Sequence, residues 1–251
     1  MKALSLRLLF AVATLGLGFA SGHAQDVPFT VPHSEPLPVL LRSHGITDLS
    51  EESLIAALKN NDPQVRGMVA IHLGTIGHSG AAEAIEAAFA DEKNLEVKVN
   101  LAEALWELHD PRGVEHLHSM CTDPTMRYDG LISAVDALQM QSLPSGVCAE
   151  NVLASMSREK EFGVLAMEAS RLPRMYGDVS PELAGRIFEV LKNLLLDRQQ
   201  ISPVRQIASQ ALAQIGIPES AKVIGTAISQ EGDPVLRSSF VSDLNALERK
   251  K

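Results

Sequence analysis

The sequence has few cysteines, aromatic residues and basic residues. The scarcity of cysteine argues against one class of fold, and the scarcity of basic residues argues against two classes of ligand. Its 251 residues include two cysteines, one tryptophan and two tyrosines, and aromatic residues make up only 4%. Two cysteines are too few for a disulfide-rich scaffold. Basic residues number 22 against 31 acidic ones, so the net charge of −9 disfavours binding to nucleic acid and anionic lipid. Neither a glycine-rich phosphate loop nor a nucleophile elbow is present.

The first 24 residues have the three parts of a secretory signal peptide. Lys2 and Arg7 give a positive start, residues 8–20 are apolar, and Gly22-His23-Ala24 places small residues before a cleavage point. The apolar run is shorter than the roughly 20 residues of a membrane span, although an uncleaved anchor is the alternative interpretation. We predict cleavage after Ala24, a periplasmic or secreted bacterial protein, and no membrane span in the mature chain. Only Lys2 and Arg7 are lost, so the mature net charge is −11.

Residues 25–47 are rich in proline, and the part from Gln25 to Pro38 has no helical periodicity. We predict a linker over this range, with the apolar stretch 37–41 closing over the first helix as an N-terminal cap.

The stretch from Asp62 to Gly77 shows how the rest of the chain is organised. Asp62 can cap a helix, and Pro63 suits the first helical position because its missing N–H costs nothing there. Apolar residues then recur every three or four positions, and Gly77 suits the left-handed residue that ends a helix. Arg66, one turn into the helix, is placed to reach the turn carboxylate or the next repeat.

Variants of this Asp-Pro-x-Val-Arg turn return along the chain. They are Asp123-Pro124-Thr125-Met126-Arg127, Pro203-Val204-Arg205 and Asp233-Pro234-Val235-Leu236-Arg237. Helical patterns lie between the turns in pairs. We predict about six helix pairs over residues 48–248, with an irregular pair near residues 141–180, where no Asp-Pro turn joins the helices.

These turns, and the small-residue helices that follow them, resemble HEAT repeats of the short bacterial kind. Their spacing is shorter than the roughly 40–47 residues usual for HEAT and armadillo repeats. The resemblance implies an all-α, right-handed solenoid whose stacked pairs bury one continuous core. It implies a binding surface rather than a particular activity. We interpret Arg66, Arg127, Arg205 and Arg237 as structural, pairing with turn carboxylates such as Asp62 and Asp123.

The two cysteines are Cys121 and Cys148. The repeat register places them at opposite ends of parallel first helices, whereas a disulfide requires Cα atoms within roughly 7 Å. We therefore expect two buried free thiols.

Two places are candidates for partner binding. Trp106 is the only tryptophan, and it is either an anchor for a partner or packed against the adjoining repeat. The irregular segment offers Met167, Arg171, Arg174 and Tyr176, since Pro173 is expected to end a helix and leave a loop. The alternative there is a stacking defect without a binding role.

Catalytic and metal-binding interpretations find less support. His109, His116, His118, Met120 and Cys121 are close in sequence, but His116 and His118 point away from each other on a regular helix. Deoxyhypusine hydroxylase has a similar architecture and holds iron with His-Glu dyads, and no such dyad occurs here. Phycobilisome lyase relatives attach chromophores inside the cell, which the predicted export disfavours.

We therefore expect a non-enzymatic scaffold or adaptor, without a cofactor or metal, that binds another protein in the cell envelope or secreted space. The alternative is an accessory or regulatory protein for an enzyme or cofactor, including metal handling.

Overall fold

The computed structural model describes residues 36–249, apart from the side chain of Ser79. This range contains thirteen α-helices, two 3₁₀ turns and no strand. The helices are α1 (Leu37–Ser43), α2 (Glu51–Ala57), α3 (Pro63–Ile76), α4 (Ala82–Asp91), α5 (Leu95–Glu107), α6 (Arg112–Thr122), α7 (Tyr128–Met140), α8 (Ala149–Arg158), α9 (Phe162–Tyr176), α10 (Pro181–Leu196), α11 (Ser202–Ile215), α12 (Pro218–Gln230) and α13 (Pro234–Glu248). None of these helices is long and apolar enough to cross a membrane.

The helices from α2 onward form two layers, which confirms the predicted all-α solenoid of six helix pairs. The first helices of the pairs are α2, α4, α6, α8, α10 and α12, and the second helices are α3, α5, α7, α9, α11 and α13. From α5 onward, each second helix packs on the second helix before it as well as on its own partner. Leu73, Leu105 and Leu138 are fully buried and belong to the core of this stack.

Helix α1 precedes the pairs and packs on α3, with Leu40 and Leu41 buried. The predicted signal peptide and residues 25–35 of the predicted linker lie outside the described residues.

Small residues let neighbouring second helices approach closely. At Gly74 of α3, an added Cβ would lie 2.8 Å from the Cα of Ala104 on α5. Real Cβ atoms do not come so close to backbone, so the α3–α5 contact requires glycine at this position. The predicted small-residue composition of the second helices therefore has a direct packing role.

The turns before the second helices differ among the repeats. The Asp62 carboxylate accepts from the amide of Gln64 over 2.9 Å, and α3 ends at Gly77 in the left-handed region. By contrast, the prediction that a helix starts at Asp123-Pro124 is wrong. Asp123 accepts from both the amide and the hydroxyl of Thr125 in a separate turn, and α7 begins only at Tyr128.

The prediction that Pro173 ends a helix is also wrong. Helix α9 continues through Pro173 to Tyr176, so Arg174 lies on a helix and not in a loop. Proline inside a helix costs about 3 kcal/mol, because it removes a backbone hydrogen bond. Leu172 and Met175 are fully buried on either side of it, and each contributes roughly 1.5–3 kcal/mol, which offsets that cost.

Cys121 and Cys148 form a disulfide with their Cα atoms 5.2 Å apart, so the prediction of two free thiols is wrong. It assumed that every first helix lies in register with the one before. Helices α4 and α6 do so, since Arg112 at the start of α6 bonds to Glu83 at the start of α4.

Helix α8 breaks this register. The side chain of Asn151, near its start, donates to the carbonyl oxygens of Cys121 and Asp123, at the end of α6. The displaced start of α8 therefore brings Cys148 next to Cys121, in the pair that the sequence marks as irregular.

We expect loss of the disulfide to destabilise the centre of the array. The bridge joins residues 27 apart in sequence, and closing a loop of this size constrains the unfolded chain by roughly 3–4 kcal/mol. Thermal unfolding of wild type with and without reductant should show a lower midpoint when reduced. A Cys121→Ala/Cys148→Ala variant should unfold at the lower midpoint under both conditions. Equal midpoints for oxidised wild type and the variant would contradict this role.

Candidate partner-binding surface

Two of the predicted structural arginines connect one repeat to the next. Arg66 on α3 donates to both carboxylate oxygens of Glu92, at the end of α4, over 2.6 and 2.9 Å. Arg205 on α11 donates to Glu231, at the end of α12, over 2.5 Å, and both side chains are buried. The turn residue Asp62 acts on Arg66 only through its charge. The main carboxylate partner is therefore in the following repeat and not in the turn.

The other two arginines do not form such connections. Arg127 pairs with Asp129, two residues further on, and its side chain is 73% exposed. The expected partner Asp123 bonds to Thr125 instead. Arg237 donates to the backbone carbonyl of Glu231.

Acidic residues follow five successive first helices, and the sequence had indicated only one of them, Asp123, as a turn residue. They are Glu92, Asp123, Glu159, Asp197 and Glu231. Each accepts a hydrogen bond from the backbone amide of a residue one or two positions further on. The signal in the sequence is an acidic residue three to five positions before each second helix from α5 onward.

The electrostatics of the two buried members follow from these contacts. Burial acts to raise the pKa of Glu92, but hydrogen bonds from Arg66 and from the amides of Asn94 and Lys93 hold it below its usual value. The amide of Asp233, together with Arg205, likewise lowers the pKa of Glu231 against the effect of burial. Both carboxylates are therefore charged partners of their arginines at neutral pH.

Trp106 is half-buried near the end of α5. The start of α6 lies against its backbone, since a Cβ at Gly113 would come within 2.6 Å of the Trp106 nitrogen. Helix α6 therefore packs closely against the backbone of α5 at this residue.

Of the candidate partner-binding residues on α9, some contact the neighbouring helix and others face solvent. Arg171 donates to the carboxylate of Asp136 on α7 over 2.7 and 2.8 Å, and its own carbonyl accepts from Gln139. Met167 is 40% exposed and Arg174 is exposed, whereas Tyr176 is half-buried. Arg171 therefore holds α7 and α9 together, while Met167 and Arg174 face solvent.

Solvent-accessible positions recur at helical spacing on α5, α7 and α9, on the side opposite their buried leucines. We call them together the second-helix face. It consists of Glu96, Asn100, Glu103 and Glu107 on α5, of Asp129, Ser133, Asp136 and Met140 on α7, and of Met167, Ser170 and Arg174 on α9. Met140 is the most exposed side chain among its apolar members, at 69%. The sequence pointed to Met167 and Arg174 on this face but not to Met140.

A second set of exposed apolar residues lies at the starts of four successive second helices. We call it the first-turn row, and it consists of Tyr128, Phe162, Ile201 and Val235. The sequence signal was available, since each residue lies at or next to a helix start.

Glu168 on α9 is a fully buried carboxylate whose two oxygens have no hydrogen-bond partner in the described part of the chain. Burial raises its pKa, and the negative charge of Glu159 adds to this effect. Ser155 and Arg158 on α8 act in the opposite direction. This environment therefore disfavours the ionised form of Glu168 relative to a carboxyl group in water.

His116, His118 and Cys121 of the sequence cluster each have another contact. His116 lies 2.8 Å from Glu86 and stacks on Phe89, and His118 bonds to the carbonyl of Pro144. Within residues 36–249 no three His, Cys, Asp or Glu side chains are grouped to hold a metal ion.

Comparison with known proteins identifies the first part of the array. Residues 51–139 match the family model for HEAT repeats. These residues are HEAT repeats. The match extends from α2 to α7, so three of the six helix pairs fall within it. No curated protein matches the chain in sequence.

Two solved structures resemble the chain at low identity. Human deoxyhypusine hydroxylase in complex with glycerol is 18% identical over 85% of this chain and 77% of that one, with a TM-score of 0.41. The complex of CpcE and CpcF of phycocyanin lyase from Nostoc sp. PCC7120 is 17% identical over 80% of this chain and 95% of that one, with a TM-score of 0.36. Neither resemblance bears on the activity of this chain.

We expect the arginines of the helix array to contribute unequally to stability. Arg205→Ala leaves Glu231 buried without its partner and should lower the free energy of unfolding by about 3 kcal/mol. Arg127→Ala, the matched control, removes an exposed pair and should cost less than about 1 kcal/mol. Urea denaturation of both variants measures the difference, and equal losses would show that the buried pair has no special role.

We expect Glu168 to make stability depend on pH. The folded state raises its pKa, so its contribution is present at acidic pH and is lost as pH rises through the folded pKa. Glu168→Met should therefore raise the melting temperature at pH 7–8 by about 3 °C or more, the shift that roughly 1 kcal/mol produces in a domain of this size. The gain should shrink towards pH 4. If the difference in melting temperature between the two proteins stays constant from pH 4 to pH 8, this assignment is refuted.

Proposed function

We propose that this protein is a non-enzymatic scaffold that binds another protein through the second-helix face. The observation that supports this most directly is the exposure of two large apolar side chains on that face, Met140 at 69% and Met167 at 40%. Apolar side chains grouped on a surface and surrounded by polar ones are typical of protein interaction sites. Methionine suits such a role, because its flexible side chain adapts to the shape of a partner.

The backbone under this face is well supported, which favours binding without a large loss of conformational entropy. Asp136 and Gln139 on α7 both bond to Arg171 on α9. The last turn of α9 is anchored by the buried Leu172 and Met175. The two exposed methionines therefore project from helices that are fixed relative to each other.

We also propose that the protein works outside the cytoplasm, in the envelope or the secreted space. The disulfide between Cys121 and Cys148 supports this, because such bonds form and persist in oxidising compartments. The signal-peptide pattern of residues 1–24 points in the same direction.

Site-specific photo-crosslinking tests the proposed surface. A photoreactive amino acid replaces Met140 in the full chain, and the same residue replaces Val235 of the first-turn row as a control with similar exposure, 76%. Both changes are expected to leave folding intact because both side chains are exposed. After irradiation in living cells, position 140 should give a discrete protein adduct and position 235 should not. Adducts at 235 alone would move the interaction to the first-turn row, and their absence at both positions would count against the scaffold.

A further inference from the structure

Glu168 occupies a position where the helical pattern of α9 places core residues. Val164 and Leu172, one turn before it and one turn after it, are buried, and Glu168 itself is fully buried. Neither of its carboxylate oxygens has a hydrogen-bond partner within residues 36–249. Ionisation of a carboxyl group in such surroundings is costly, because no donor replaces the water that it has lost.

The end of α8 acts directly on this carboxyl group. Burial is the main cause that raises the pKa of Glu168. Ser155 lowers the pKa, the negative charge of Glu159 raises it, and the positive charge of Arg158 lowers it. Ser155 and Glu159 are four residues apart, so they share one side of the helix, and this side is the one that meets Glu168.

The other helices packed on α9 are α7, α10 and α11. Their charged residues are Asp129, Asp136, Glu182, Arg186, Glu189, Lys192 and Arg205. All of these except the exposed Glu182 belong to ion pairs, and none of them is among the charges that act on Glu168. The 3₁₀ turn before α8, residues 146–148, carries no charge. The charges that decide the state of Glu168 therefore come from the end of α8.

The two ends of α8 are held in different ways. The disulfide of Cys148 and the hydrogen bonds of Asn151 join its start to the end of α6, and Glu150 accepts from Arg186 on α10 over 2.6 Å. The rest of the helix, residues 152–158, contributes the buried apolar side chains of Val152, Leu153 and Met156. A covalent and polar anchor thus holds the start, whereas apolar packing beside Glu168 holds the remainder.

We propose that residues 152–158, which we call the α8 flap, detach from α9 when Glu168 loses its proton, while the disulfide keeps the start of α8 in place. Detachment lets water reach the carboxylate and separates it from the charge of Glu159. Because the folded state raises the pKa of Glu168, the closed flap is most stable at acidic pH and loses stability as pH rises through the folded pKa. The opening is local, and it uncovers Leu153 and Met156 while the other repeats stay folded.

Hydrogen exchange of the full chain, read by mass spectrometry from about pH 4.5 to pH 8, tests the flap. The wild-type rate is divided at each pH by the rate of Glu168→Gln, whose amide cannot ionise, so that the intrinsic pH dependence of exchange cancels. In residues 152–158 this ratio should rise by about tenfold or more over the range, the effect of one pKa unit or more. In α3 it should stay constant. Glu168→Met serves as a second non-ionisable reference, and Glu182→Gln, which removes an exposed carboxylate of α10, should exchange like wild type at every pH.

The disulfide is tested in the same experiment. In Cys121→Ala/Cys148→Ala the loss of protection at pH 8 should extend to residues 146–151, because the start of α8 is then no longer tethered. An unchanged pattern in that variant would overturn the role of the disulfide as the tether. A ratio in residues 152–158 that does not vary with pH, or one that rises equally in α3, would overturn the flap, since the second result describes unfolding of the whole chain.

Discussion

The close packing of each second helix on the one before it is the constraint on which the structure depends. A single helix pair cannot bury its apolar side alone, so the pairs must stack, and the small residues of α3 and α5 set how near they come. Where Gly74 meets Ala104, the contact is backbone on backbone. This spacing also determines the shape of the surface of the second helices. The side chains that face solvent are attached to helices whose separation is set by the packing between them.

The interactions that join neighbouring repeats differ along the length of the array. Buried carboxylates join repeats near its two ends, Glu92 through Arg66 and Glu231 through Arg205. In the middle, Asp123 and Glu159 bond backbone amides without an arginine, and the half-exposed pair of Arg171 and Asp136 joins α7 to α9. The middle also contains the displaced helix α8, the buried Glu168 and both exposed methionines of the second-helix face. The part of the array with the least regular packing is thus also the part in which the second-helix face exposes its methionines.

Sequence reasoning predicted the architecture well where local chemistry decides, as at Asp62-Pro63, which starts α3, and at Gly77, which ends it. It failed where distant contacts decide. Pro173 normally ends a helix, but the burial of Leu172 and Met175 keeps α9 intact. The disulfide was missed because the displacement of α8 is visible only in three dimensions. For the surface, residue type pointed to Arg171 and Met167, but only the fold shows that Arg171 is engaged by Asp136 and that Met140 is open.

The disulfide gives this array a property that the helices alone would not have. It encloses the whole of α7 within a covalent loop, from the end of α6 to the start of α8. If tension is applied between the two ends of the chain, force passes through the sulfur atoms and bypasses that helix. Met140 and the acidic residues of α7 would then keep their local scaffold while repeats on either side extend, so the centre of the solenoid is mechanically shielded.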